Sequence, residues 1–568
     1  MRKAISETST TTRRILHVAN RRLSRIANRP FLAIATVAAA SFFCSAAPYL
    51  WYSRGVTPFS SWSFFNAYDE FSYLLAGDTF AKGRLTNPTH PMWRHFETLS
   101  VLHEPTYQSM YPPGQGLFLA GGRLLTGHPI VGVWISMALA AAATCYLLRA
   151  WFPPRWAFSG ALLAALHARM ALEWGGTYWG GGVAMLGGAL TFGGLRNVIE
   201  RPRVRDASLL ALGLALVANS RPFEGLVASL PALAVLAVWF VSDRRVPART
   251  RFSRVAAPLA IVLATATAGM AYYNHRVARD PWTLPYQVYL ANHGHETPFV
   301  WQSNEDGPGI AFSDPADGLP LASDVGDGDA RAETELPRRE PQEWWLVTGY
   351  LNLLSNPSAI VSIPFKLAVQ WAFYAGPVLT VPLLALLFGP LDRWTWFAGL
   401  TSVFTLLALL LTSGAWPHYV APAAPLWFVL GVEGSRRLGL VRLRDRRLGR
   451  ILGPVLLLLS IVWLVLFAAL FPRMMGKLRW AESRTGLVAQ MERMEGDHLV
   501  LVRYWKGHAW YKEWIFNEAD IDGARIVWAR ELTPEANRRL LDYFEGRRVW
   551  LVEADREPPL LLPYEEGR

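Results

Sequence analysis

The chain is nearly free of cysteine. Its two, Cys44 and Cys145 in 568 residues, fall inside apolar runs, which excludes a disulfide framework and a cysteine-built metal centre. Charge is also scarce: 18% of residues are charged against 52% hydrophobic, a balance unlike that of a disordered chain or an ordinary soluble enzyme. The C-terminal region lacks a Gly-rich phosphate loop, so nothing in it points to a nucleotide. His90, His95 and His103 share one segment with Glu97 and Glu104, but their spacing matches no compact metal motif, and no ligand set is assigned. No internal repeat is visible.

What the sequence does contain is long apolar stretches. Phe31–Tyr52, Pro129–Leu148, Trp174–Leu195, Gly225–Ser242, Val255–Asn274, Leu367–Leu391, Trp394–Trp416 and Ile451–Pro472 are free or nearly free of charge, and shorter runs lie at Trp156–Leu172, Ala207–Ser220 and Tyr419–Val432. Counted as membrane helices they predict a mainly α, polytopic transmembrane bundle of about eleven spans. The net charge of +12 gathers in alternate connections, at Arg13–Arg29, Arg149 and Arg155, Arg196–Arg205, Arg244–Arg254 and Arg436–Arg450. By the positive-inside rule these are cytoplasmic. That alternation requires Gln115–Thr126, which is short, and Trp344–Phe365, which is interrupted by Asn356–Pro357 and Pro364, not to cross. The amino terminus is then inside and the carboxyl terminus outside. A cleavable signal peptide is the competing reading of the first 50 or so residues, but Tyr49, Trp51 and Tyr52 at the outer end of a span-length run suit an interfacial belt.

The expected organisation is a basic cytoplasmic segment (1–30), a transmembrane domain (31–472) with outer loops 53–128 and 275–366, and a small extracytoplasmic α/β domain (473–568). In the last, Leu499–Val502, Ile526–Trp528 and Val549–Val552 read as strands, and Pro534–Glu545 as a helix with Thr533 as N-cap. Within the second outer loop, Asp324-Val-Gly-Asp-Gly-Asp329 resembles a calcium loop but lacks the bidentate Glu such loops need.

With this topology the unusual polar turns share the outer face: Tyr68-Asp69-Glu70, Glu173–Gly182, Asn219–Gly225 and Trp416–Pro422. The first of these, followed by Tyr111-Pro112-Pro113-Gly114, resembles the GT-C superfamily of membrane glycosyltransferases, in particular the protein mannosyltransferase-like and aminoarabinose-transferase-like group (glycosyltransferase family 39-like). The resemblance spans roughly the first 430 residues and implies transfer of a hexosyl or pentosyl unit from a polyprenyl-phosphate carrier to a lipid, glycan or protein acceptor. The expected setting is the outer face of a bacterial inner membrane. Two departures stand out. Where the group often has Lys before the Pro-Pro turn this chain has Met110 and Tyr111, and where many have an aspartate after the third span it has Thr177-Tyr178-Trp179-Gly180, with Glu173 the nearest acid.

A carboxylate beside the membrane surface is suited to taking the proton of an acceptor hydroxyl. Asp69, the first acid of the pair, is the expected base; an acid at a helix start is the alternative reading. Glu70 is assigned to the catalytic pair too, as a contact to sugar hydroxyls, a ligand to a divalent metal, or a cap on the following helix. The leaving phosphate needs cations, for which Arg94, Arg169, Arg221 and His418 are candidates, with Arg169 alternatively snorkelling to the surface. Glu104, Tyr111, Glu173, Tyr178, Glu224 and Tyr419 complete the expected substrate-binding set. A transporter of lipid-linked sugars and a noncatalytic sugar-binding scaffold remain as other readings; broken, charged spans and inverted repeats would mark the transporter.

Overall fold

The computed structural model describes residues 23–52, 68–293, 359–412, 416–443, 446–447, 449–475, 479–505, 508, 512–556 and 558–565. The Asp324–Asp329 segment, residues 344–358 of the interrupted run and the arginines before residue 23 lie outside the described residues.

Six helices among the described residues are long and apolar enough to cross a membrane: Pro30–Trp51, Pro129–Trp151, Gly181–Glu200, Pro222–Ser242, Ala248–Ala278 and Leu452–Leu470. Their outward faces are bare hydrocarbon, with Phe31 90%, Val241 79% and Ile261 66% exposed, as lipid contact demands. The expected span Leu367–Leu391 is broken. Ile363–Tyr374 and Gly376–Leu387 meet at a 100° bend, because Gly376 takes a positive φ of 47° and Pro377 cannot donate the hydrogen bond that would continue the first helix. Four further expected spans form shorter helices: Pro154–Ala165, Val204–Ala218, Arg393–Leu409 and Ala424–Leu440, of 12, 15, 17 and 17 residues. At 1.5 Å per residue they reach about 18–26 Å, less than a hydrocarbon core of about 30 Å. Among the described residues six helices, or seven with the bent pair, have full spanning length, and the count of about eleven is not confirmed.

The turns at residues 175–180, 219–221 and 416–423 share one end of the bundle, where the Trp179 backbone meets Arg221 and its ring lies 5.9 Å from that of Trp416. Outside it lie two shorter helices. Tyr68–Ala81 and Pro113–Thr126 cross at Gly77 and Gly116, where a Cβ on Gly116 would stand 2.8 Å from the Ala76 and Phe80 side chains. The Pro113–Thr126 helix has 14 residues and does not span.

The C-terminal region is α/β as the alternation predicts. His498–Arg503 is the central strand, parallel to Ile526–Arg530 on one side and Arg548–Glu553 on the other, and Leu560–Pro563 pairs antiparallel with the latter. Leu499 to Val502 are buried on both faces of this sheet, which explains their unbroken apolar run. Thr533 Oγ1 accepts from Ala536 N at 3.3 Å and starts the Pro534–Tyr543 helix, as expected of an N-cap.

Orientation is testable. With Cys44 and Cys145 replaced by Ala, a cysteine at the exposed Ser242 should resist an impermeant thiol reagent in intact cells, and one at Ser483 should react. The reverse pattern would invert the bundle.

Candidate functional site

Gly180 reverses the chain. Its positive φ of 80° at the start of Gly181–Glu200, costly for any residue with a Cβ, turns Tyr178 and Trp179 back over the first turn of Tyr68–Ala81. There Trp179 Nε1 donates to Asp69 Oδ1 at 2.9 Å and Tyr178 N donates to Glu70 Oε1 at 3.0 Å. The two acids are therefore unequal. Glu70 is 1% exposed and its carboxylate braces a backbone turn, whereas Asp69 keeps part of its surface open. The helix begins at Tyr68, so both acids sit in its first turn, where backbone N–H groups favour negative charge.

A second lock brings in Arg221. Pro112 and Pro113 set the start of Pro113–Thr126, and Gly114 N donates to Asn219 O at 2.8 Å. A Cβ on Gly114 would lie 2.5 Å from that same oxygen, so the turn tolerates only glycine at this approach. This contact ties the Tyr111-Pro-Pro-Gly turn to the residue two before Arg221. From its position capping Pro222–Ser242, Arg221 donates to Trp179 O at 3.0 Å and stands 5.1 Å from the Tyr419 ring centroid. Tyr73 stacks on Tyr111, with centroids 4.3 Å apart and planes within 10°. His418 is buried with its ring 5.1 Å from Trp179, and Glu224, one turn into the helix, lies within range of the Arg221 charge.

The electrostatics follow from this enclosure. Burial pushes the Asp69 carboxyl up to about 6; the Trp179 hydrogen bond and the Arg221 charge hold it from going higher. Burial, then the Arg221 charge, drives His418 well below the usual imidazole range, so its ring is neutral. Burial pushes the Tyr73 phenol up to about 12. At neutral pH the site holds a carboxylate poised to take a proton and a guanidinium at a helix N-terminus, an anion-binding combination.

This gives a signed prediction. Trp179→Phe removes the N–H that stabilises ionised Asp69, so its pKa should rise by about one unit. Any activity that needs Asp69 ionised should fall about fivefold at pH 6, about twofold at pH 7, and recover by pH 8, read from a pH–rate profile.

Of the residues expected from sequence, Asp69, Glu70, Tyr111, Tyr178, Arg221, Glu224, His418 and Tyr419 come together. Four are placed elsewhere. Arg169 and Glu173 pair with each other one helical turn apart, and Arg169 also lies 5.2 Å from the Phe373 ring. Arg94, 5.7 Å from the Trp93 ring, belongs to the short turn Trp93–Phe96, whose His95 bonds the carbonyls of Arg530 and Ala536 in the C-terminal region. Glu104 is exposed, and its carbonyl accepts from Asn292 at 3.4 Å. Among the described residues no three His, Cys, Asp or Glu side chains cluster to hold a metal ion.

Sequence reasoning missed Tyr73, Trp179 and Gln115 as site residues. Tyr73 lies four residues after Asp69, hence on its helix face, a signal that was readable. Gln115 packs against Gly180, 2% exposed with both amide atoms unpartnered; only the fold reveals that.

No protein-family model and no curated protein matches the chain. Solved structures do. The ArnT of Cupriavidus metallidurans bound to undecaprenyl phosphate is similar over 92% of both chains, at 13% identity and a TM-score of 0.48. The apo form of that protein covers 85% of this chain and 88% of its own, at 13% identity and a TM-score of 0.45. An oligosaccharyltransferase of Archaeoglobus fulgidus, tethered with an acceptor peptide, is similar over 92% of this chain and 69% of its own, at 12% identity and a TM-score of 0.40. These are likenesses in the path of the chain, and no residue role is carried over from them.

Proposed function

We propose that the chain is a membrane glycosyltransferase that moves a sugar from a polyprenyl-phosphate carrier to an acceptor hydroxyl at the outer membrane surface. The observation that carries this reading is the union, at one end of an apolar bundle, of a partly open carboxylate with its pKa raised to about 6 and a guanidinium at a helix N-terminus. A base and an anion receptor side by side at the lipid boundary are what a lipid-phosphate leaving group and an acceptor hydroxyl require.

In this reading Asp69 takes the acceptor proton as the acceptor oxygen bonds to the anomeric carbon. The bond from that carbon to the carrier phosphate breaks, and the phosphate leaves with the electron pair, its new charge meeting Arg221 and the N–H groups of Pro222–Ser242. Tyr73, Tyr111 and Tyr419 supply aromatic walls of the kind sugars pack on. Glu70 holds the Trp179 turn in place.

The test is mass spectrometry of lipids and envelope glycans from cells with and without the protein. A sugar mass lost from one class on deletion, with the corresponding carrier-linked sugar accumulating, supports the reading. Unchanged profiles, with transmembrane flux of a lipid-linked sugar altered instead, would replace it with a transporter.

A further inference from the structure

The Tyr68–Ala81 helix is held from two sides. At 100° per residue, Asp69 and Tyr73 share one face, and Phe71, Leu75 and Asp78 form a stripe on the opposite one. That opposite stripe belongs to the C-terminal domain. Phe71 stacks on Phe516, with centroids 4.6 Å apart and planes 18° from parallel. Leu75 is packed in one apolar cluster with Leu499, Leu501 and Ala519. Asp78 Oδ2 accepts from Ala519 N at 2.8 Å, and Asp78 also pairs with Lys82 at 3.0 Å and Arg123 at 2.9 Å.

The gripping segment is itself fixed from behind. Arg484, 7% exposed, donates to the carbonyls of Trp514 and Phe516, both at 3.2 Å. Its guanidinium lies 5.3 Å from the Phe71 ring, 5.8 Å from that of Phe516 and 4.6 Å from that of Trp528. Asn517 closes the other side through two bonds to the Trp528 backbone, at 2.8 and 2.9 Å. A buried guanidinium spent on two carbonyls and three rings is an expensive arrangement, concentrated on the residue two positions from Asp69.

We propose that the C-terminal α/β domain is a positioning clamp for Asp69, with Phe516 and Arg484 as its positioning residues. A 14-residue helix is marginal in isolation, and its first turn carries the base. Packing on Pro113–Thr126 fixes the later turns, through Ala76, Gly77 and Phe80. The Phe71–Phe516 stack fixes the first. Loosening it lets Asp69 drift without removing any group that touches substrate, and misplacement by about 1 Å costs about 100-fold in rate. The catalytic half of this inference rests on the glycosyl-transfer reading; the mechanical half does not.

The experiment uses the full-length protein in detergent with three variants: Phe516→Ala, Phe516→Tyr and Phe516→Leu. Phe516→Ala should lower kcat at least tenfold with the donor KM within twofold, and Phe516→Tyr, which keeps the stacked ring, should restore most of it. Hydrogen exchange should show residues 70–81 losing protection at least tenfold in Phe516→Ala while His498–Arg503 stays protected. If Phe516→Ala does not fold, Phe516→Leu, which keeps the apolar volume but loses the stacked ring, should show the same pattern at smaller amplitude. Unchanged exchange at 70–81, or unchanged kcat despite that loss of protection, overturns the clamp. A parent protein that transfers no sugar overturns the function reading alone, because the exchange experiment still reports the clamp.

Discussion

Asp69→Asn should abolish sugar transfer and leave the protein at least as stable as its parent. The amide Oδ1 can still accept from Trp179 Nε1, so the 2.9 Å contact and the turn it closes survive, but an amide takes no proton at neutral pH. Losing a general base costs about 10²–10⁴-fold in rate. The stability sign follows from the raised carboxyl. Asp69 titrates near 6 in the folded protein and near 3.9 when unfolded, so between those values the native state binds more protons. Stability therefore falls as pH rises from about 4 to about 6, and the full cost is present above that. The cost is at most about 3 kcal/mol, less to the extent that the open part of the carboxyl is solvated. Asn carries none of it. At pH 7.5 the variant should melt at or above the parent, and the difference should vanish below pH 4. Single-turnover transfer from a polyprenyl-phosphate sugar gives the rate. A variant that transfers at the parent rate would deny Asp69 its role, and if Glu70→Gln alone were inactive the base would be Glu70.

Much of this arrangement was legible in the sequence, and the rest was hidden for definable reasons. Local signals read well. The apolar run Leu499–Val502 became a central strand, and Thr533 before Pro534 became a cap. The turns that carry Asp69, Tyr111, Tyr178, Arg221 and His418 stood out as polar interruptions of a hydrophobic chain, and the fold gathers them. Span lengths read less well, because hydropathy counts methylenes and is blind to a positive φ at Gly376. Contacts between distant residues were not readable at all. Trp179 meets Asp69 across 110 residues, and Phe516 meets Phe71 from the C-terminal sheet region. Arg169 and Glu173 are a different case. Their i, i+4 spacing is the ordinary signature of a helical ion pair, legible when the two are read together.

Arg221 carries the second large effect. Its guanidinium already gives one hydrogen bond to Trp179 O and rests on Tyr419, so it is held in place before any ligand arrives, with its remaining N–H groups available for the flat oxygen array of a phosphate. In the proposed reaction Arg221→Gln removes the charge opposite the leaving group and should lower kcat/KM about 100-fold or more, equivalent to about 3 kcal/mol. It should also raise the Asp69 pKa, because the Arg221 charge is one of the influences that lower it; the residual activity should therefore peak at higher pH. Arg221→Lys keeps the charge but loses the fork and the planar stack on Tyr419, and should retain an intermediate rate with little movement of the pH profile. That ordering separates the two roles of the side chain. If Gln and Lys are equally impaired with the parent pH profile, Arg221 acts only through its shape, buttressing the Trp179 turn. If both are fully active, the carrier phosphate is bound elsewhere, and the buried Lys366, whose Nζ donates to Thr412 O at 3.1 Å, is the next cation to exchange.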